Sequence, residues 1–126
     1  MIRDSFSLLF FIIAMAILPQ LTQSQEVSFQ RDIRPLLAKN CFACHGPDQE
    51  AREADLRLDL RKGAVSQEGR SAAIVAGNPD ESELVTRLRE KDPDVKMPPP
   101  ETGHALSAEQ IALIELWIRS GAEYSE

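Results

Sequence analysis

The chain has 126 residues, which leaves room for one domain. Its 20 Asp plus Glu against 14 Lys plus Arg give a net charge of −6, which argues against nucleic acid as a partner, since phosphate binding needs a basic face. Five Phe, one Trp and one Tyr promise a modest core, the situation in which small domains recruit a disulfide, a metal or a cofactor.

The first segment, 1–24, carries an unbroken apolar run from Leu8 to Leu18, with Arg3 before it and Pro19 and a polar stretch after it. A charged start, an apolar run of roughly 7–15 residues and small residues near a cut describe a signal peptide. Thr22 and Ser24 occupy the small-residue positions, so cleavage is expected after Ser24, leaving one domain over 25–126. The competing reading is an uncleaved N-terminal anchor, although spanning a bilayer takes about 20 apolar residues. Either way the protein is expected to be exported, to the bacterial periplasm or an equivalent compartment, where it meets a membrane only if the segment stays attached. No cysteine directly follows the apolar run, so lipidation is not indicated.

A first helix is expected over Ile33–Asn40, with Asp32 as N-cap and Pro35 in the first turn, where its missing N–H breaks no bond. It runs directly into "NCFACHG", Asn40–Gly46, which holds both cysteines of the chain. Gly46-Pro47-Asp48 is a turn signal. Leu56, Leu58 and Leu60 alternate with Arg57 and Asp59, a pattern too short for a sheet and read as extended chain resting on something apolar. A helix is expected from Asn78, as cap, through Pro79, with Leu84, Val85 and Leu88 on its buried face. Prolines at 93, 98, 99 and 100 forbid regular structure over Asp92–Ser107. The final helix starts at a capping box, Ser107 with Gln110. It shows an apolar stripe of Ile111, Ile114, Trp117 and Ile118 and ends near Gly121. The domain therefore reads as all-α: three to four short helices with long loops that need something to pack on.

Three chemistries use a C-x-x-C pair. A closed zinc site needs four ligands, and the only others of the usual soft kind are His45, adjacent to Cys44, and His104. A redox disulfide belongs at a helix start in a βαβ context, which is absent. The third is C-x-x-C-H, Cys41, Cys44 and His45, the attachment signature of a covalent haem. The two thiols reach two vinyl groups as thioethers, and the histidine is carried under the iron. This reading also explains how two cysteines survive in an oxidising compartment. The sixth ligand is then expected to be Met97, the one methionine after the leader, held in the stiff "KMPPP". His104 is the rival, and would set a lower potential. Met97 could instead simply rest on the core. Trp117 is read as haem-edge packing or a propionate donor, or equally as core. Arg57, Arg61 and Lys62 are read as propionate partners or as a solvated face. The acidic group Asp48, Glu50, Glu53 and Asp55 would steer a basic redox partner or simply keep the surface soluble.

Five blocks in order, "VSFQRDIRPLLAKNCFACHGPD", "LRLDLRKGA", "AIVAGNPDESELVTRL", "KMPPP" and "LSAEQIALIELWIRSGAEY", resemble the planctomycete-type cytochrome c domain over Gln25–Tyr124. The resemblance implies a class I-like cytochrome c fold around one covalent haem c, with iron ligands at His45 and Met97. In that family the domain usually opens a much longer chain, so haem binding alone is carried over. The functional expectation is a monohaem protein that transfers single electrons between unidentified redox proteins and catalyses no reaction of its own. The alternative is a haem enzyme or sensor with an open or exchangeable sixth position. A structural haem module in a larger assembly is a third.

Overall fold

The structure, a computed structural model, describes residues 26–65 and 73–124. The expected signal segment, 1–24, lies outside the described residues. Among those residues there are five short α-helices: α1 (Arg34–Asn40), α2 (Phe42–His45), α3 (Arg61–Ala64), α4 (Glu83–Arg89) and α5 (Ala108–Arg119). They include no strand, only an isolated bridge between Val65 and Ile74, and no helix long and apolar enough to cross a membrane. The all-α class holds. The number of helices exceeds the expectation because α2 and α3 are single turns without a periodic pattern.

The first helical stretch begins earlier than the sequence suggests. A π-helical turn, Phe29–Ile33, precedes α1, and Ser28 caps it: the Ser28 hydroxyl accepts from the Arg31 N–H. Asp32, expected as the N-cap, sits inside this turn and instead accepts the Ser28 N–H at 2.8 Å. Its carboxyl is held below the usual range, chiefly by the side-chain bond from Arg31 and then by Ser28. Pro35 explains the wide turn. It has no N–H for the residue four back, and the Arg34 N–H reaches to the Phe29 carbonyl, five back.

The extended stretch over Leu56–Leu60 divides. Leu58 is buried, Leu56 half-buried, and Leu60 exposed. The backbone of Leu58 is bonded on both sides, its N–H to the His45 carbonyl at 2.9 Å and its carbonyl receiving the Tyr124 hydroxyl at 2.9 Å. The helix expected from Asn78 is split. Pro79–Glu81 form a 3-10 turn capped by Asn78, and α4 restarts after Ser82, whose backbone is extended (φ −84°, ψ 115°). The Ser82 side chain is completely buried. Its hydroxyl accepts from the Val75 N–H at 3.0 Å and donates to the Asn78 carbonyl at 2.8 Å, which ties the restart to the preceding loop. Leu84, Val85 and Leu88 face the core as expected. Helix α5 has the full reciprocal capping box of Ser107 and Gln110. It ends through Gly121 at φ 113° and an Ala122 N–H bond to the Trp117 carbonyl.

Helix α5 packs against the π-turn, the 3-10 turn at Pro79 and α4. Ile33, Ile74, Ile114 and Ile118 are inaccessible at the centre, and Phe29, Trp117 and Tyr124 stack at one side with ring centroids 4.1–5.6 Å apart. The loops were expected to lack a core without a cofactor. The structure corrects this: Leu58, Val65 and Ile74 turn inward from the connections and complete an apolar cluster with the helices, Ala64 of α3 among them. Around it lies a half-buried apolar rim that includes Leu36, Cys41, Phe42, Leu56, Leu106 and Ile111.

Candidate haem site

Helix α1 stops at Cys41, which has a non-helical backbone (φ −133°, ψ −36°) and gives its N–H to the Leu37 carbonyl. Its own carbonyl accepts the N–H groups of Cys44 (3.2 Å) and His45 (2.8 Å). The kink therefore ends one helix and starts the next, and α2 is the single turn that presents both thiols and the imidazole. Cys41 is half-buried and Cys44 exposed, and both are free thiols. Burial, with a smaller contribution from the neighbouring Cys44, pushes the Cys41 thiol up to about 12, so it stays protonated at neutral pH. Among the described residues no three His, Cys, Asp or Glu side chains gather as a metal cluster would require.

His45 is half-buried, and its Nδ1 lies 3.2 Å from the Glu53 carbonyl oxygen. A carbonyl only accepts, so Nδ1 is the donor. In the neutral imidazole this leaves Nε2 with its lone pair, the form in which histidine binds a metal. The rest of the loop closes on the end of α2. The Glu53 N–H donates to the Cys44 carbonyl at 2.8 Å, the Leu58 N–H to that of His45, and Arg52 Nε to that of Gly46 at 3.1 Å. The last-turn carbonyls of α2, which no helix can satisfy internally, are thus received by residues 52–58. The Glu53 carbonyl is aimed by a turn of the type I′ kind. Ala54 and Asp55 have φ of 55° and 51°, and the Leu56 N–H returns to the Glu53 carbonyl.

The remaining sequence-predicted residues are held by other contacts. Met97 is half-buried, and its N–H donates to the Arg87 carbonyl at 3.0 Å. It is framed by α4, just as Lys96 is through the carbonyls of Leu88 and Glu90, whereas His45 is framed by the 52–58 loop. His104 is exposed, after a 3-10 turn at Pro100–Thr102. Trp117 is core: its indole N–H goes to the Glu123 carbonyl at 2.9 Å, which removes it as a propionate donor. Arg57 pairs with Asp59, and Arg61 with Glu123 and the Ala122 carbonyl. Asp48, Glu50, Glu53 and Asp55 are all exposed around the loop.

The sequence reading took Gly46 only as a turn former and passed over Arg52. Gly46 carried a signal, since a glycine directly after the histidine leaves space that any side chain would fill: a Cβ there would lie 2.2 Å from the Phe42 carbonyl oxygen. Arg52 carried none. Two free thiols on one helical turn, an imidazole with its Nε2 lone pair available and an apolar rim running through Cys41 and Phe42 form a donor set that fits a haem held by two thioethers and one imidazole. No curated protein and no solved structure matches the chain. The family model for planctomycete cytochrome C matches residues 41–101, a span that contains Cys41, Cys44, His45 and Met97, and over it the chain resembles that family.

Proposed function

We propose that this chain is an exported c-type cytochrome that carries one haem and passes single electrons. Cys41 and Cys44 would hold the group through thioethers, and His45, through Nε2, and Met97 would be its iron ligands. The observation that carries the reading is the commitment of His45 Nδ1 to the Glu53 carbonyl, which fixes the tautomer a metal-binding imidazole needs. When bound, the haem supplies an iron that gains or loses one electron. The chain does the rest. The Glu53 carbonyl makes the His45 ring more basic, and a thioether from Met97 favours a higher potential than a second imidazole would. The half-buried rim that includes Cys41 and Phe42 offers an apolar surface beside the site. The exposed carboxylates Asp48, Glu50, Glu53 and Asp55 favour a basic redox partner outside the cytoplasm.

The test is the full chain made in a host that attaches haem c, beside the double variant Cys41→Ser/Cys44→Ser. Sharp reduced absorption bands that survive denaturation in the wild type and vanish in the double variant are expected. A wild-type protein without covalent haem under those conditions sinks the reading. Carbon monoxide added to the reduced protein then reads the sixth position. Little change is expected for the wild type and rapid binding for Met97→Ala, whereas immediate binding to the wild type would mean an exchangeable site.

A further inference from the structure

We infer that Arg52 is a positioning residue for His45, acting through the backbone of the loop that receives the histidine's proton. This rests on the reading of His45 as an iron ligand. The side chain of Arg52 is only 13 % exposed, low for an arginine, and its guanidinium is spent on the end of α2. Nε donates to the Gly46 carbonyl and Nη2 to the Pro47 carbonyl, each at 3.1 Å, and Nη1 lies 3.5 Å from the Asp55 carboxylate across the turn.

Those three partners bracket the peptide that matters. Glu53 follows Arg52 directly, and its carbonyl takes both the His45 Nδ1 proton and the Leu56 N–H. That carbonyl leads into Ala54 and Asp55, two residues held at positive φ. Residues with a Cβ stay there only when the surroundings over-determine them. The Glu53 N–H bond to the Cys44 carbonyl fixes one side of residue 53. It does not prevent the following peptide from rotating its oxygen away from His45. Arg52 clamps the chain before the turn to Gly46 and Pro47 and reaches Asp55 inside it, so the peptide plane between them keeps its orientation. The planar fork suits two carbonyls at once, which lysine cannot match.

The haem-loaded full chain is compared with Arg52→Met, Arg52→Lys and, as a control, Arg57→Met, which breaks the pair with Asp59 and touches no carbonyl of residues 44–47. Two readouts report on His45 rather than on stability: solvent exchange of its ring Nδ1 proton by NMR in the reduced protein, and the reduction potential. In Arg52→Met the exchange is expected to accelerate about tenfold, roughly the loss of one hydrogen bond, and the potential to rise as the imidazole becomes less basic. Arg52→Lys should fall between it and the wild type, and Arg57→Met should match the wild type. Wild-type exchange and potential in Arg52→Met overturn the proposal, as does an equal change in Arg57→Met. Should Arg52→Met fail to fold, Arg52→Lys decides by the same readouts. A wild type without covalent haem defeats the functional reading alone. The positioning claim is then read on the same chain from the ring ¹⁵N shifts of neutral His45: the Nδ1–H tautomer is expected in the wild type and its loss in the arginine variants, and no difference between them overturns it.

Discussion

Gly46 is buried in an extended conformation that any residue adopts (φ −135°, ψ −156°), and what demands glycine there is space. A methyl group would meet the backbone of Phe42, one helical turn back, and backbone cannot swing aside as a flexible side chain does. Gly46→Ala is expected to push the chain off the end of α2 at a cost of about 1–3 kcal/mol, read as a lower midpoint in urea or thermal unfolding. An unchanged midpoint would show that the turn yields freely. Cys41, Cys44 and His45 were legible as a group because their spacing gathers them at one turn of the chain. Gly46 was legible only as a turn former. Arg52 was invisible, because its bonds run from a side chain to carbonyls five and six residues back, and no periodicity records such a contact.

Local hydrogen bonding decides the elements where apolar pattern does not. Helix α5 was readable to its first residue, since a capping box and a regular stripe say the same thing. The start of α1 was off by one residue, and the π-turn ahead of it was missed because Pro35 widens the backbone there and Asp32 resembles a cap from sequence whichever side of the boundary it serves. At Ser82 the sequence offered a continuous helix with a good cap at Asn78, and a buried hydroxyl overrode it. Ser82→Ala leaves the Val75 N–H without its acceptor and the Asn78 carbonyl without that donor. The expected loss is about 1–3 kcal/mol, seen in equilibrium unfolding. A variant as stable as the wild type would mean that the 75–82 connection rearranges to satisfy both groups.

Across the whole molecule, the two ends of the described chain meet at the ring cluster of Phe29, Trp117 and Tyr124, and the Tyr124 hydroxyl donates across 66 residues to Leu58. Burial first, and the nearby Asp59 charge second, hold that phenol above its ordinary range. The fold therefore favours the neutral form. Its contribution is complete below the unfolded value of about 10 and is lost as pH climbs from there toward the folded pKa. Stability is expected to fall more steeply above about pH 10 in the wild type than in Tyr124→Phe, which itself gives up about 1 kcal/mol for the lost hydrogen bond. Tyr124 is the chain's one tyrosine, so ultraviolet titration of tyrosinate reports this group alone, and a curve with an ordinary midpoint would refute the assignment. The ring cluster contrasts with the loop around α2. Beyond its own turn and the end of α1, the thiol and imidazole turn is closed by bonds from residues 52–58, and a loop that short loses little chain entropy when its ends join. Assembly order follows from that contrast: the thiol and imidazole turn can take its shape as soon as residue 58 is available, whereas the seal at Tyr124 has to wait for residue 124.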